Sequence, residues 1–310
     1  MSYYPSYTAL KCLEASARLL SFTQAGQELH LTQSAVSHHI SKLEAQLAVK
    51  LFERHAVGGV TLTEEGIWYV QQVIPALHRI VLSTDKLRNG LHRQALIRIA
   101  VQPTFADYWL MPKLNRFSLD HPGIRLDIIV RSGDSEREEA VDAWFEQSEG
   151  AAPGIDALKI LDLIYKPYTS PGQLASLGYR DLPPAMTTGT LIDILQRSPL
   201  LKTTVTQVWE NWLRQKNIIS RIDPKHLGSG PRYEMISLVL QAVVDGVGIA
   251  LLPGYLTTDP LSAGKLICLD QEGWKSNRPY CLRWLSGYRD EHLITLIEWM
   301  KKEVIAHDPH

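Results

Sequence analysis

The 310-residue chain has little cysteine. Its three, Cys12, Cys268 and Cys281, are odd in number and far apart, which gives no disulfide framework. There is no Cys-x-x-Cys and no Cys/His cluster, so no metal site is expected. Cys268 and Cys281 as a redox-sensing pair is the minor alternative; free buried thiols in a reducing compartment is the preferred one. No apolar run is long and unbroken enough to span a membrane. The most apolar stretch, Ile236 to Pro253, is interrupted by Gln241, Asp245, Gly246 and Gly248, and reads as a helix, a glycine turn and a buried strand. The opening segment lacks a basic start and a long apolar core, so no secretory leader and a cytoplasmic location are expected. Charge of one sign is also missing. The net charge is −1 and there is no basic tail, so any attraction to nucleic acid must come from local distribution. The signatures of the common enzyme sites are absent too. There is no Gly-x-Ser-x-Gly, no phosphate loop, no His-x-x-x-His pair and no full Gly-x-Gly-x-x-Gly. No catalytic residue, cofactor or metal is therefore nominated, and an enzyme on an α/β scaffold is the runner-up reading. What remains, 45% hydrophobic and 21% charged residues, is the composition of a soluble protein with two or three cored domains.

Residues 21–47, SFTQAGQELHLTQSAVSHHISKLEAQL, read as two short helices joined by a tight turn. Ser21-x-x-Gln24 fits a capping box at the first helix, whose inner face is Phe22, Ala25 and Leu29. Ala25 and Gly26 are small enough for helices to approach closely. His30-Leu31 forms the turn, and Thr32 is a natural N-cap for the second helix. There Val36, Ile40, Leu43 and Leu47 recur at spacings of a buried helical face. Thr32, Gln33, Ser34, Ser37, His38, Ser41 and Lys42 lie elsewhere around the axis. Gln pairs bidentately with adenine, and Ser meets bases or phosphates. A preceding helix carries Leu10, Leu13 and Ala17 inward. A hairpin follows, with Lys50-Leu-Phe-Glu-Arg54 and Val60-Thr-Leu62 around a Gly58-Gly59 turn. Three helices and this hairpin make a winged helix-turn-helix, a shape that places its second motif helix in the major groove of DNA.

These residues together resemble the N-terminal domain of LysR-type transcriptional regulators. The matching pieces are Ala25/Gly26, Thr32-Gln-Ser-Ala-Val-Ser37, Ile40-x-x-Leu-Glu44, Leu51-Phe52-x-Arg54 and Leu62-Thr63-x-x-Gly66. The resemblance runs more weakly along the rest of the chain and is nearest the subgroup of the glycine-cleavage, β-lactamase and D-serine regulators. It implies sequence-specific binding of double-stranded DNA at a pseudo-palindromic operator, controlled by a small-molecule effector, an amino acid or small carboxylate in this subgroup. It also implies a homodimer through the linker helix and commonly a homotetramer, with RNA polymerase a further candidate partner. The departures are informative. The wing has Arg54 where the family often has more than one Arg. Residues 1–62 carry five cations (Lys11, Arg18, Lys42, Lys50, Arg54) against four carboxylates, about +1. Phosphate neutralisation supplies most non-specific DNA affinity, so one such domain alone binds weakly.

Thr63 caps a further helix, with Glu64 and Glu65 in its electropositive first turn. Ile67, Val70, Ile74, Leu77, Val81, Thr84 and Leu87 make a near-heptad stripe. The stripe calls for a partner, and self-association is preferred over packing within its own domain. Pro75 is expected to kink or distort the helix.

The period then changes. Ile97–Val101 is a strand, Phe105 to about Asp120 a helix, and Arg125–Val130 a second strand, the pattern of parallel α/β crossovers. Further strands are expected at 158–165, 201–205, 248–252, 266–269 and 280–286. Helices are expected at 207–216, 232–245 and 290–305, and the acidic run Asp134–Glu139 reads as a solvated helix start. The expected division is 1–62 for the DNA-binding domain, 63–92 for the linker helix and 93–310 for an effector domain. The last has one lobe at about 93–162 and 268–310 and another at about 163–267. The resemblance implies that this is a two-lobed α/β fold like type 2 periplasmic binding proteins; a secreted solute-binding protein is set aside because of the DNA module. Ligands of such folds sit at strand C-termini between lobes. That nominates Gln102, Thr104 and Phe105, opening a helix after the first strand, and Arg131 after the second. It also nominates Thr203 and Thr204 in the other lobe, and Glu234 to meet an amine at the start of helix 232–245. The segment Asp142-Ala-Trp-Phe-Glu146 has an acid where the subgroup often has an Arg. This points either to an altered ligand or to a remodelled lobe surface.

Overall fold

Ser6, Ser21, Thr32 and Thr63 each start a helix by accepting a backbone N–H three residues on. These caps cut the N-terminal third into α1 (Tyr7–Leu19), α2 (Phe22–Glu28), α3 (Gln33–Leu47) and the long α4 (Glu64–Arg88). The computed structural model describes residues 4–55, 59–90, 95–131, 141–152, 154–179, 186–203, 207–288 and 290–306. Gln24 makes no return bond to Ser21, so half of the expected capping box forms. Between α3 and α4 lies the antiparallel hairpin of β1 (Phe52–Arg54) and β2 (Val60–Leu62). Gly58 of the expected turn lies outside the described residues. Leu13, Ala25, Val36, Ile40, Leu43 and Leu51 fill a core of their own with Val70 from α4. A side chain at Gly26 would stand 2.7 Å from the backbone oxygen of Leu31. Glycine is thus what lets α2 reach the turn into α3.

The helix α4 runs through Pro75 without a break. Proline has no N–H for the carbonyl of Gln71. The backbone at Gly154 covers that point: an added Cβ would sit 3.1 Å from the Gln71 oxygen and 2.9 Å from Pro75 Cγ, at φ +71°. The chain at Gly154 therefore packs on the linker helix. The stripe of α4 divides. Val70, Leu77 and Leu82 are buried in the chain itself, whereas Ile67, Trp68, Ile80, Val81 and Leu87 are exposed.

Two sheets follow. The larger has the order β4-β3-β5-β11-β6, from β3 (Leu96–Val101), β4 (Arg125–Val130), β5 (Ala143–Gln147), β6 (Ile155–Leu161) and β11 (Tyr280–Leu285). β3 is parallel to β4 and β5, as the strand–helix–strand pattern requires; β11 is antiparallel to β5 and β6. In the crossover, α5 (Pro103–Phe105), a π-helical turn at Ala106–Leu110 and α6 (Met111–Asp120) succeed one another. The expected strand 158–165 is two strands, split at Asp162-Leu163. β6 ends in the larger sheet, and β7 (Ile164–Thr169) starts the smaller one with β8 (Ala250–Pro253), β9 (Ile267–Cys268) and β10 (Trp274–Lys275). The chain returns to the larger sheet at β11, later than the expected return at 268. Helices α7 (Pro171–Ser176), α8 (Thr188–Arg197), α9 (Val208–Gln215), α10 (Pro224–Ser229), α11 (Ile236–Val244) and α12 (Gly254–Ser262) lie between β7 and β9 in the chain, with α9, α11 and α12 packed on the smaller sheet, and α13 (Glu291–Ala306) packs on the larger. Of the expected strand 201–205, residues 204 and 205 lie outside the described residues; Leu200 and Lys202 make single parallel bridges to Ile249 and Arg232. The run Asp134–Glu139 lies outside the described residues.

A charged joint fastens α4 to the larger sheet. Asp142, 1% exposed, accepts from Lys86 at 2.9 Å, from the Tyr288 hydroxyl at 2.6 Å and from the Arg98 N–H at 2.8 Å. Arg98 in turn bonds Asp85 and Asp127. Burial first, then the Asp142 carboxylate, holds the Tyr288 phenol well above its usual pKa and so protonated.

Candidate functional site

The solvent face of α3 carries Gln33, Ser34, His38, Ser41 and Lys42, all exposed, with Thr32 exposed at its cap. The opposite face, Val36, Ile40 and Leu43, is at most 1% exposed. This separation follows from the helical period alone. Ser37 is half-buried because Arg54 donates to its hydroxyl at 2.8 Å. The guanidinium also lies 5.3 Å over the Phe22 ring. Arg54 thus joins the wing strand to the polar side of α3 and brings a cation beside it. Thr32 and Ser34 share a hydrogen bond of 3.0 Å.

The wing is held in place by a residue that the polar face did not reveal. Glu44 is 6% exposed, and accepts from the backbone N–H of Leu51 at 2.9 Å and of Phe52 at 3.2 Å, and from Lys50 at 2.7 Å. Burial pushes this carboxyl up. The Lys50 bond and the two backbone bonds outweigh it and hold the pKa below the usual carboxylate range. Across the hairpin, His55 meets Thr61 at 3.0 Å.

The second region lies where β3 ends, against elements of the smaller sheet. Thr104 is buried and donates to Ser237 on α11 at 3.2 Å. Gln102 is exposed and accepts from the Tyr280 hydroxyl. Phe105 is 0% exposed and packed between its own neighbours. It stacks on Tyr280 (centroids 3.9 Å apart) and on Trp109 (5.0 Å), with Tyr255 edge-on at 5.7 Å. It is a core residue that packs elements of the two lobes together. Burial keeps the Tyr165, Tyr255 and Tyr280 phenols protonated, Tyr165 with a pKa of about 12. Arg131 follows β4 at the same sheet edge, its N–H bonded to the Val101 carbonyl at 2.9 Å. Thr203 lines a cavity of about 220 Å³ beside the smaller sheet, and Thr204 lies outside the described residues. Glu234 is exposed, two residues ahead of the observed start of α11, and is not among the residues lining that cavity.

Sequence reasoning missed Ser237, Tyr255 and Tyr280, whose partners are more than 100 residues away. No local spacing marks them. Glu146 lies on β5 and pairs with Arg283 of the neighbouring β11. The cation expected at 146 is supplied by the next strand, which favours a remodelled sheet surface over an altered ligand. Cys12, Cys268 and Cys281 are free. Cys268 lies in the smaller sheet and Cys281 in the larger, and burial raises the pKa of both thiols, so the redox pair gains no support. Among the described residues there is no cluster of metal-ligating side chains, and no helix is long and apolar enough to cross a membrane.

Comparison with known proteins gives two family matches. Residues 7–67 match the bacterial regulatory helix-turn-helix proteins of the lysR family, and residues 92–304 match the LysR substrate binding domain. The chain is 32% identical over 266 residues to the glycine cleavage system transcriptional activator of Escherichia coli K12, covering 85% of this chain and 82% of the relative. It is 30% identical over 249 residues to a carbapenem-hydrolyzing beta-lactamase transcriptional activator of Enterobacter cloacae, covering 80% and 78%. The structure of CrgA, a LysR-type regulator from Neisseria meningitidis, superposes with a TM-score of 0.54 at 22% identity over 97% of this chain and 99% of that one, which shows a shared fold. The chain belongs to the LysR family of DNA-binding transcriptional regulators, with a winged helix-turn-helix domain and an effector-binding domain.

Proposed function

We propose that α3 reads an operator base sequence and that the chain works as a dimer whose DNA affinity is set by a small molecule bound between the two lobes. The observation that carries the reading is the exposed row Gln33, Ser34, His38, Ser41 and Lys42 on a helix whose other face is fully buried, with Arg54 beside it. Gln33 and Ser34, in the first turn of α3, reach base edges; Thr32, Lys42 and Arg54 meet phosphates; Ser37, His38 and Ser41 serve either. Two such helices related by a two-fold axis match a pseudo-palindromic site. The exposed Ile67, Trp68, Ile80, Val81 and Leu87 of α4 supply an apolar face for a second copy. A tetramer and contact with RNA polymerase extend this reading. The chain is a regulator and not an enzyme, as the names of its relatives suggest, and it acts in the cytoplasm, where the chromosome is.

For the effector we assign Gln102, Thr104, Arg131 and Thr203 from the original set, and add Ser237 and Tyr280, which bond to two of them. The ligand acts by favouring one arrangement of the lobes over another, and only to the extent of its differential affinity. The joint at Asp142 passes that arrangement to α4. Footprinting with Gln33→Ala and Ser37→Ala tests the reading. Each loses operator affinity by about 1–3 kcal/mol and relaxes discrimination at one base position. Unchanged discrimination in both removes α3 as the reader.

A further inference from the structure

The cavity of about 220 Å³ beside the smaller sheet carries charges that the fold itself does not neutralise. Lys202 and Arg232 both line it. They are paired across a parallel bridge, fixed by the Lys202 N–H on the Pro231 carbonyl at 3.0 Å and the Tyr233 N–H on the Lys202 carbonyl at 2.9 Å. Bridged residues send their side chains to the same side, so two cations stand next to each other, an arrangement that costs stability. Among the described residues neither makes an ion pair or a side-chain hydrogen bond. Glu210, on α9, lines the same cavity and likewise makes no ion pair among the described residues. Beneath these charges the wall is apolar. Leu201, Trp209, Val239 and Leu251 are each 5% exposed or less, and the Trp209 ring N–H is already bonded to the Leu201 carbonyl at 2.9 Å. The cavity is smaller than the roughly 300–1,000 Å³ of pockets for drug-sized ligands, so its occupant is a small metabolite.

We infer that this cavity binds a small apolar α-amino acid: its carboxylate between Lys202 and Arg232, its ammonium at Glu210, and its side chain on the Leu201–Trp209 wall. A carboxylate removes the repulsion between the cations. An ammonium gives Glu210 its counter-charge, which a simple fatty acid does not. Ile236 lines the cavity and is followed by Ser237, which holds Thr104 of the larger lobe. An occupant therefore touches the same helix that bridges the lobes. Of the residues proposed above for the effector, Thr203 alone lines this cavity; the inference adds an amino-acid subsite on the smaller-sheet side of that site and rests on the effector reading.

The test uses the full chain and follows its melting temperature with millimolar leucine and phenylalanine, in both enantiomers, with leucinamide and with 4-methylpentanoate. One or more of the amino acids raises the melting temperature; leucinamide, which lacks the carboxylate, leaves it unchanged; 4-methylpentanoate, which lacks the amine, raises it less. Lys202→Met and Arg232→Met each abolish the response. Glu210→Gln removes the preference for leucine over 4-methylpentanoate. Without ligand, Arg232→Met raises the melting temperature by roughly 1–3 °C, because it removes the like-charge contact. The inference is overturned if no amino acid of the panel acts, if leucinamide acts as well as leucine, or if the two Met variants respond like the unsubstituted chain. Operator binding measured without ligand on the same proteins separates this from the regulator reading. Binding kept alongside an absent ligand response refutes the cavity alone, and loss of sequence-specific binding by the unsubstituted chain refutes the regulator.

Discussion

Replacing Glu44 by Ala should release the wing from the DNA-reading helix. The carboxylate accepts two buried backbone N–H groups, of Leu51 and Phe52, and one ammonium, of Lys50. Hydrogen bonds to a charged acceptor contribute about 1.5–3 kcal/mol each, and a buried N–H left unpaired costs about 1–3 kcal/mol. The Lys50 side chain is 75% exposed, so that pair adds about 0–1 kcal/mol after screening. The bond and unpaired-donor figures describe one loss, so two bonds at about 2 kcal/mol each give about 4 kcal/mol for Glu44→Ala. Glu44→Gln, which keeps an acceptor and loses the charge, costs about half as much. Because Leu51-Phe52 leads directly into Arg54, the damage is local and reaches the DNA-facing side. Amide exchange read on peptides over 48–62 should accelerate strongly in Glu44→Ala, with the effector domain unaffected, and operator affinity should fall. The pH dependence has a definite sign. The folded pKa lies below the reference value of 4.5, so the contribution is complete above that value and is lost as pH falls through the folded pKa. Unchanged exchange at Leu51 and Phe52 in Glu44→Ala would refute this account of the wing.

Gly26→Ala places a Cβ 2.7 Å from the Leu31 carbonyl, which is backbone and cannot swing away. A loss of about 2 kcal/mol in the stability of the N-terminal domain, read by denaturant unfolding, is expected along with weaker operator binding. Asp142→Asn removes the carboxylate charge at 2.9 Å from Lys86, 16% exposed, and leaves it the Tyr288 hydroxyl at 3.3 Å and the longer Asp290 contact at 3.7 Å. It should cost about 2–3 kcal/mol, less than for a fully buried pair, and the double variant with Lys86→Met should recover part of the lost melting temperature. Thr104→Val removes the bond to Ser237. It should impair the transcriptional response to effector while leaving ligand-free operator binding intact; a normal response removes Thr104 from the effector site.

Much of the N-terminal half was legible because its signals are local. A cap at Ser21, Thr32 or Thr63 and an apolar period at Val36, Ile40 and Leu43 are set within a few residues, and the structure realises them. The stripe of α4 was legible as a stripe, but not as one divided between the chain's own core and an exposed face. That division depends on where the effector domain sits. The effector domain was read less well for the same reason. Strand 158–165 showed one apolar run, and only tertiary structure divides it between two sheets at Asp162-Leu163. Phe105 looked available because it opens a helix, and it is enclosed by Tyr255 and Tyr280 from far along the chain. Ser237 is an ordinary polar residue in an apolar helix until Thr104 is placed beside it. The joint of Asp85, Lys86, Arg98 and Asp142 uses common surface residue types, and nothing but proximity identifies them.

The central claim is that this chain distinguishes one DNA sequence from others through α3. Its most direct test is a competition measurement at fixed salt between the native genomic segment just upstream of its own gene and a scrambled duplex of the same composition. The account predicts a preference of about 10³-fold or more for the native segment, reduced by about tenfold or more in Gln33→Ala. Equal affinity for both duplexes, or a preference that Gln33→Ala and Ser37→Ala leave intact, would contradict it.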